Sequence, residues 1–177
     1  MTSMMTCSNA GKLSDKKYTS IRLKDAVEVF QDYKKSALLL STCYCDWKCC
    51  IEAGVDKSVC QNQKIAQQRE VTLPFESVLK KVNQSFTDAV IFGGLEPFMQ
   101  ADEVIQCIEY LRQHGVKKDI VIYTGYYVEE IDAETLAYLV LNDVILKCGR
   151  FIPNRKSKFD AVLGITLASD NQYGVYL

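Results

Sequence analysis

Short, uninterrupted runs of apolar residues constrain the fold of this chain most strongly, because they recur along it with loops and helical patterns in between. Four such runs stand at residues 37–42, 89–92, 120–123 and 144–146. Strands that are apolar throughout, without alternation, are typical of parallel sheets buried on both faces. The sequence therefore predicts an α/β domain: a partial (βα) barrel or a curved, mostly parallel sheet, flanked by helices.

Composition narrows the class of protein. The chain has 177 residues, of which 48% are apolar and 24% charged, which is ordinary globular composition. We expect an N-terminal extension over residues 1–35 and the α/β domain over residues 36–177. The formal net charge of −1 gives no reason to expect a nucleic-acid partner. No apolar run is long enough to cross a membrane and the N-terminus is no secretory signal, so we expect a soluble, cytoplasmic protein.

Cysteine is concentrated in one segment. Five of the eight cysteines lie between positions 43 and 60, directly after the first apolar run. In a cytoplasmic chain, such clustering indicates metal or redox chemistry ahead of disulfides. Three residues separate Cys45 from Cys49, and Cys60 follows later; three thiolates would leave one metal position open to a substrate. Spacing alone leaves an iron–sulfur cluster, zinc and plain redox thiols open. The isolated cysteines are Cys7, Cys107 and Cys148.

Two further loops follow apolar strands directly, at residues 93–97 and 124–127. Because the carboxyl ends of parallel strands share one edge of a sheet, both loops should meet the cysteine segment there. Taken singly, Gly93-Gly94 is typical of a tight turn and Glu96 of a solvated helix cap. Their shared location beside the cysteines favours a functional site instead.

The segments at this edge, in this order, resemble the radical S-adenosylmethionine (SAM) superfamily, and in particular the activating proteins of anaerobic ribonucleotide reductase. The segments that carry the resemblance are Cys45-x-x-x-Cys49, Cys60-Gln61-Asn62, Gly93-Gly94-Leu95-Glu96-Pro97 and Tyr123-Thr124-Gly125-Tyr126. The resemblance extends over residues 37–172. Where the superfamily usually has its third cysteine, this sequence has Glu52, so Cys60 is the better candidate. Cys43 and Cys50 remain alternatives.

The resemblance implies two cofactors, a 4Fe–4S cluster and SAM. The implied cluster ligands, called the candidate ligands below, are Cys45, Cys49 and Cys60. The implied SAM contacts are Gly93 and Gly94 at the methionyl end, Glu96 at the ammonium group, and Thr124 at the ribose or methionine. No catalytic side chain is implied. Lys147, at the end of a later strand, is a further pocket residue without an assigned role.

The resemblance also implies an activity. A reduced cluster would cleave SAM to a 5′-deoxyadenosyl radical, which abstracts hydrogen from a glycine of a glycyl-radical enzyme such as anaerobic ribonucleotide reductase. Flavodoxin or ferredoxin would supply the electron. Two alternatives stay open: a radical SAM enzyme with another peptide or small-molecule substrate, and a non-catalytic cysteine–metal binding module.

Overall fold

The computed structural model describes residues 11–177, so Cys7 and the start of the predicted extension lie outside the described residues. The strands, in chain order, are β1 (Ser20–Leu23), β2 (Asp25–Val29), β3 (Ala37–Ser41), β4 (Val71–Pro74), β5 (Ala89–Gly93), β6 (Asp119–Tyr123), β7 (Val144–Cys148), β8 (Lys158–Asp160), β9 (Ile165–Leu167) and β10 (Tyr173–Tyr176). The helices are α1 (Lys48–Ala53), α2 (Gln63–Ala66), α3 (Phe75–Gln84), α4 (Ala101–Gln113) and α5 (Ala133–Leu141). Short 3-10 turns lie at Lys57–Val59, Pro97–Gln100 and Val128–Glu130.

A six-stranded sheet with the order β10-β7-β6-β5-β3-β2 forms the centre of the fold. Its inner strands β3, β5, β6 and β7 run parallel, with Leu39 of β3 opposite Ile91 of β5. The outer strands β2 and β10 are antiparallel to their neighbours. The α/β class and the mostly parallel sheet are therefore confirmed. Among residues 11–177 the strand order is open, so it does not describe a closed barrel.

The inner strands are buried on both faces, which explains their uninterrupted apolar sequences. All five residues of β5 are buried. Val90 and Phe92 belong to the core on one face, which is filled by residues from α3, α4 and α5. Ala89 and Ile91 belong to a smaller core on the other face, together with Leu167 of β9. Helices thus flank one face of the sheet, and the β8–β9 hairpin contributes to the packing on the other.

Two strands precede the first one identified from the sequence. Ile21 and Leu23 of β1 are buried in the helix-side core, and β2 pairs with β3 as the outer strand of the sheet. The helix α3 begins at Phe75, directly after β4, whose residues pair with β1, Leu73 opposite Ile21. This pairing is non-local, and local sequence patterns do not reveal it.

The loops after the parallel strands meet at one edge, as predicted. Thr42, just beyond β3, donates its backbone N–H to the carbonyl of Gly93 at the end of β5 (2.8 Å). Thr124, just beyond β6, donates likewise to the carbonyl of Lys147 in β7 (2.9 Å). The loops that follow these strands therefore start side by side. Within the described residues, no helix has the length and apolar character needed to span a membrane.

Candidate functional site

A cavity of about 360 Å³ lies at the carboxyl edge of the sheet and extends over the face that the helices do not cover. This volume is within the range of small-molecule sites. The three candidate ligands line the cavity together with Gly94, Glu96 and Thr124. Gly93 is not among the lining residues; it is the last residue of β5, directly before Gly94. The structure thus brings the three predicted loops to one cavity.

The cysteine loop gains its shape from a left-handed turn at Trp47 (φ 59°), directly before α1. Cys45 lies before this turn and its Sγ accepts the backbone N–H of Trp47 (3.3 Å). Cys49 lies in the first turn of α1, and Cys60 follows the Lys57–Val59 turn on the returning limb of the loop. The three thiols therefore reach the cavity wall from different parts of the loop.

Two of the candidate ligands, Cys45 and Cys49, lie where burial favours the neutral form of a thiol. Burial raises the pKa of Cys45 to about 12 and that of Cys49 to about 11. A metal must therefore displace their protons on binding, as thiolate coordination generally requires.

The two alternative cysteines are placed differently. Cys43 is buried outside this cavity, and its backbone N–H donates to Oε1 of Gln100 (2.8 Å). Cys50 is buried but does line the cavity, with its Sγ 3.9 Å from that of Cys49. The choice of Cys60 as third ligand stays a prediction, with Cys50 as the alternative that shares the cavity.

Glu96 joins the glycine turn to the loop after β6. It caps the Pro97–Gln100 turn by accepting the N–H of Phe98 (3.1 Å), but its side chain is buried, so it is not the solvated cap that its local sequence alone would indicate. It also accepts the hydroxyl of Thr124 (2.8 Å) and the N–H of Gly125 (2.9 Å). Burial raises the pKa of Glu96 to about 7, against the opposing effect of these hydrogen bonds.

The glycine pair lies in a tightly packed turn. Gly94 has φ 77°, and a Cβ there would lie 2.9 Å from Cβ and Oγ of Ser41. A Cβ at Gly93 would lie 3.2 Å from Cβ of Tyr123. Glycine at position 94 therefore lets the turn bring its backbone close to β3, and a Cβ at position 93 would be a tight contact with β6.

Lys147, which had no assigned role, lines the cavity from β7. Burial lowers its pKa to about 8, and its Nζ lies 5.9 Å from the centre of the Tyr123 ring. The position of this residue at the end of an apolar strand was the sequence signal for it. The cavity thus holds a carboxyl group at Glu96 and an amine at Lys147.

Arg150 had no role assigned to it from the sequence. It lines the cavity, is 4% exposed, and pairs with Glu130 (Nη2 to Oε1, 2.5 Å). No local pattern identifies this residue, because its partner is on another loop.

The chemistry of the donor set fits an iron–sulfur cluster, because thiolates are the usual protein ligands of its irons. A 4Fe–4S cluster takes each thiolate on a different iron, so its ligands need only surround a shared space. Three cysteines on the wall of one cavity meet that requirement.

These features define an α/β domain with a cysteine loop, a glycine turn and a buried carboxyl group around one cavity. Residues 33–172 match the family described as the 4Fe-4S single cluster domain. The match covers most of the chain, so the chain belongs to this family. This finding supports an iron–sulfur cluster over zinc or plain redox thiols.

The chain is also similar to a curated protein. A protein of Methanocaldococcus jannaschii, provisionally named a glycyl-radical enzyme activating enzyme, is 29% identical over 120 residues. The alignment covers 66% of this chain and 46% of the relative, so the chain spans about half of that protein's length. No solved structure matches the chain.

Proposed function

We propose that this chain is a radical SAM enzyme that activates a glycyl-radical enzyme. The observation that carries the proposal is the single cavity shared by the three candidate ligands, the glycine turn, Glu96 and Thr124. The family and the name of the relative support it. When bound, a reduced 4Fe–4S cluster and SAM would supply methionine and a 5′-deoxyadenosyl radical, which abstracts hydrogen from a glycine of the partner.

The residues of the cavity have distinct parts in this proposal. The candidate ligands would hold the cluster, which would supply the electron for SAM cleavage. Glu96, as the anion, accepts a charge-assisted hydrogen bond from the ammonium group. Lys147, as the cation, is suited to pair with the carboxylate. A ligand carrying both groups would thus meet opposite charges.

Neighbouring groups orient these charges. Thr124 and Gly125 donate to the two oxygens of Glu96 and so limit the rotation of the carboxyl group. Thr124 is assigned to the ribose or methionine side of SAM. Because the pKa of Glu96 is about 7, SAM binding should strengthen as pH rises through neutrality and the carboxylate forms.

The partner proposed is a glycyl-radical enzyme of the anaerobic ribonucleotide reductase type, with flavodoxin or ferredoxin as electron donor, all in the cytoplasm. We infer that the surface of this macromolecular substrate completes the cavity.

The test combines the anaerobically reconstituted, reduced protein with SAM and an anaerobic ribonucleotide reductase from the same organism. Methionine and 5′-deoxyadenosine should form, and electron paramagnetic resonance should detect a carbon-centred radical on the reductase. The signal should need all three components and vanish when the partner's radical-bearing glycine is replaced by Ala. SAM cleavage without a partner radical would favour another substrate. Iron binding without any SAM cleavage would favour a non-catalytic module.

A further inference from the structure

A chain of alternating charges joins α1, the helix that carries Cys49, to the loops beyond β6 and β7. Nζ of Lys48 lies 2.7 Å from Oε1 of Glu130. The two oxygens of Glu130 accept hydrogen bonds from Nη1 (2.7 Å) and Nη2 (2.5 Å) of Arg150. Nε of Arg150 lies 2.8 Å from Oε2 of Glu52, an ion pair without a well-directed hydrogen bond. Lys48 and Glu52 are four residues apart, so one face of α1 supplies both ends of the chain.

The centre of this chain is rigidly held. Arg150 is buried, and its guanidinium lies 5.0 Å from the ring centre of Tyr127. Although burial opposes ionisation, hydrogen bonds from Arg150 and Lys48 lower the pKa of Glu130 to about 2. Glu130 also accepts the backbone N–H of Tyr127 (2.9 Å). The central pair therefore stays ionised at neutral pH and is fixed to the loop after β6.

Little else holds α1 in place by burial. The helix has six residues, and Cys50 is its one buried residue. Ile51 is 68% exposed. A helix this short is unstable in isolation, so its orientation depends on tertiary contacts. The two ends of the charge chain, together with a hydrogen bond from the hydroxyl of Tyr126 to Asp46 just before the helix (2.5 Å), supply such contacts.

We propose that Lys48, Glu130, Arg150 and Glu52 act as a clamp that positions α1, and with it Cys49, against the loop that carries Thr124. These four are positioning residues, since they act through Cys49. The effect of the clamp on a cluster rests on the function proposed above, whereas its effect on α1 does not.

The first test measures hydrogen–deuterium exchange of the α1 backbone amides in the reduced, metal-free protein. Glu130→Gln keeps the shape of the side chain but removes its charge, and should speed this exchange by about tenfold or more, the factor for losing one hydrogen bond to a charged group. Asp119→Asn is the matched control. Its ion pair with Lys35 has the same 2.7 Å separation as that of Glu130 with Lys48, and the two carboxylates are similarly exposed (26% and 23%). Exchange in α1 should stay within about twofold of the unmodified protein in this control.

The second test separates positioning from general stability. Lys48→Met should speed α1 exchange by a few fold, since Lys48 is partly exposed, and Lys48→Arg should restore the unmodified rate because it keeps the charge. In the iron-loaded, reduced protein, Glu130→Gln should also change the electron paramagnetic resonance spectrum of the cluster, whereas Asp119→Asn should not.

Unchanged α1 exchange in Glu130→Gln, or an equal increase in Asp119→Asn, would overturn the clamp. So would an unchanged cluster spectrum in an iron-loaded Glu130→Gln protein. If the unmodified protein binds no iron, the proposed function fails, and the exchange measurements on the metal-free protein still decide whether the clamp exists.

Discussion

The buried carboxyl group of Glu96 predicts a specific dependence of stability on pH. Burial raises its pKa to about 7 in the folded chain, from the ordinary value of 4.5 that applies when the chain is unfolded. At a pH between 4.5 and about 7, Glu96 is ionised in the unfolded state but still protonated in the folded state. The contribution of Glu96 to the free energy of unfolding therefore falls as pH rises. This contribution is fully present only below pH 4.5.

The size of the effect follows from the two pKa values. Integrated from pH 5 to pH 8, the shift from 4.5 to about 7 lowers the free energy of unfolding by roughly 2–3 kcal/mol. Glu96→Gln keeps the shape of the side chain and an oxygen acceptor but does not titrate. The stability of this variant relative to the unmodified protein should therefore rise by roughly 2–3 kcal/mol over the same range. Glu130, with a pKa of about 2, titrates below this window.

The assay is urea unfolding of the reduced, metal-free chain at pH 5, 6, 7 and 8, for the unmodified protein and Glu96→Gln. Glu76→Gln, at an exposed position in α3, is the matched control and should follow the unmodified protein at every pH. If the stability difference between Glu96→Gln and the unmodified protein does not change with pH, the buried carboxyl group does not titrate near neutrality and the reasoning is wrong.

Replacing any one of the three candidate ligands by Ala should abolish the iron content of the reconstituted protein, and Cys107→Ala, inside α4, should leave it intact. Gly94→Ala should lower the free energy of unfolding by about 2–4 kcal/mol, because it adds a close contact with Ser41 to an unfavourable φ. Gly54→Ala, with φ 64° and open space around its Cβ, should lose only about 1–2 kcal/mol in the same denaturation assay. Lys147→Met should weaken SAM binding, measured by calorimetry, by about tenfold or more while iron is retained.

The sequence by itself determined the features that depend on local pattern. The apolar runs identified β3, β5, β6 and β7, because strands buried on both faces need apolar side chains at every position. Their parallel arrangement then predicted that the cysteine segment, the glycine turn and Thr124 share an edge, since the carboxyl ends of parallel strands lie together. The resemblance of these segments to a known family was confirmed by the family match.

Only the tertiary structure decided what depends on partners far away in the chain. The strands β1 and β4 exist because they pair with each other, and neither has a pattern that identifies it alone. The local sequence around Glu96 is typical of a solvent-exposed helix cap. The side chain is buried because the loop carrying Thr124 closes over it. The guanidinium group of Arg150 is held by a hydrogen bond to Glu130, which lies on a different loop. Burial and charge pairing arise where separate segments meet, so their energies are set by the folded arrangement and not by local sequence.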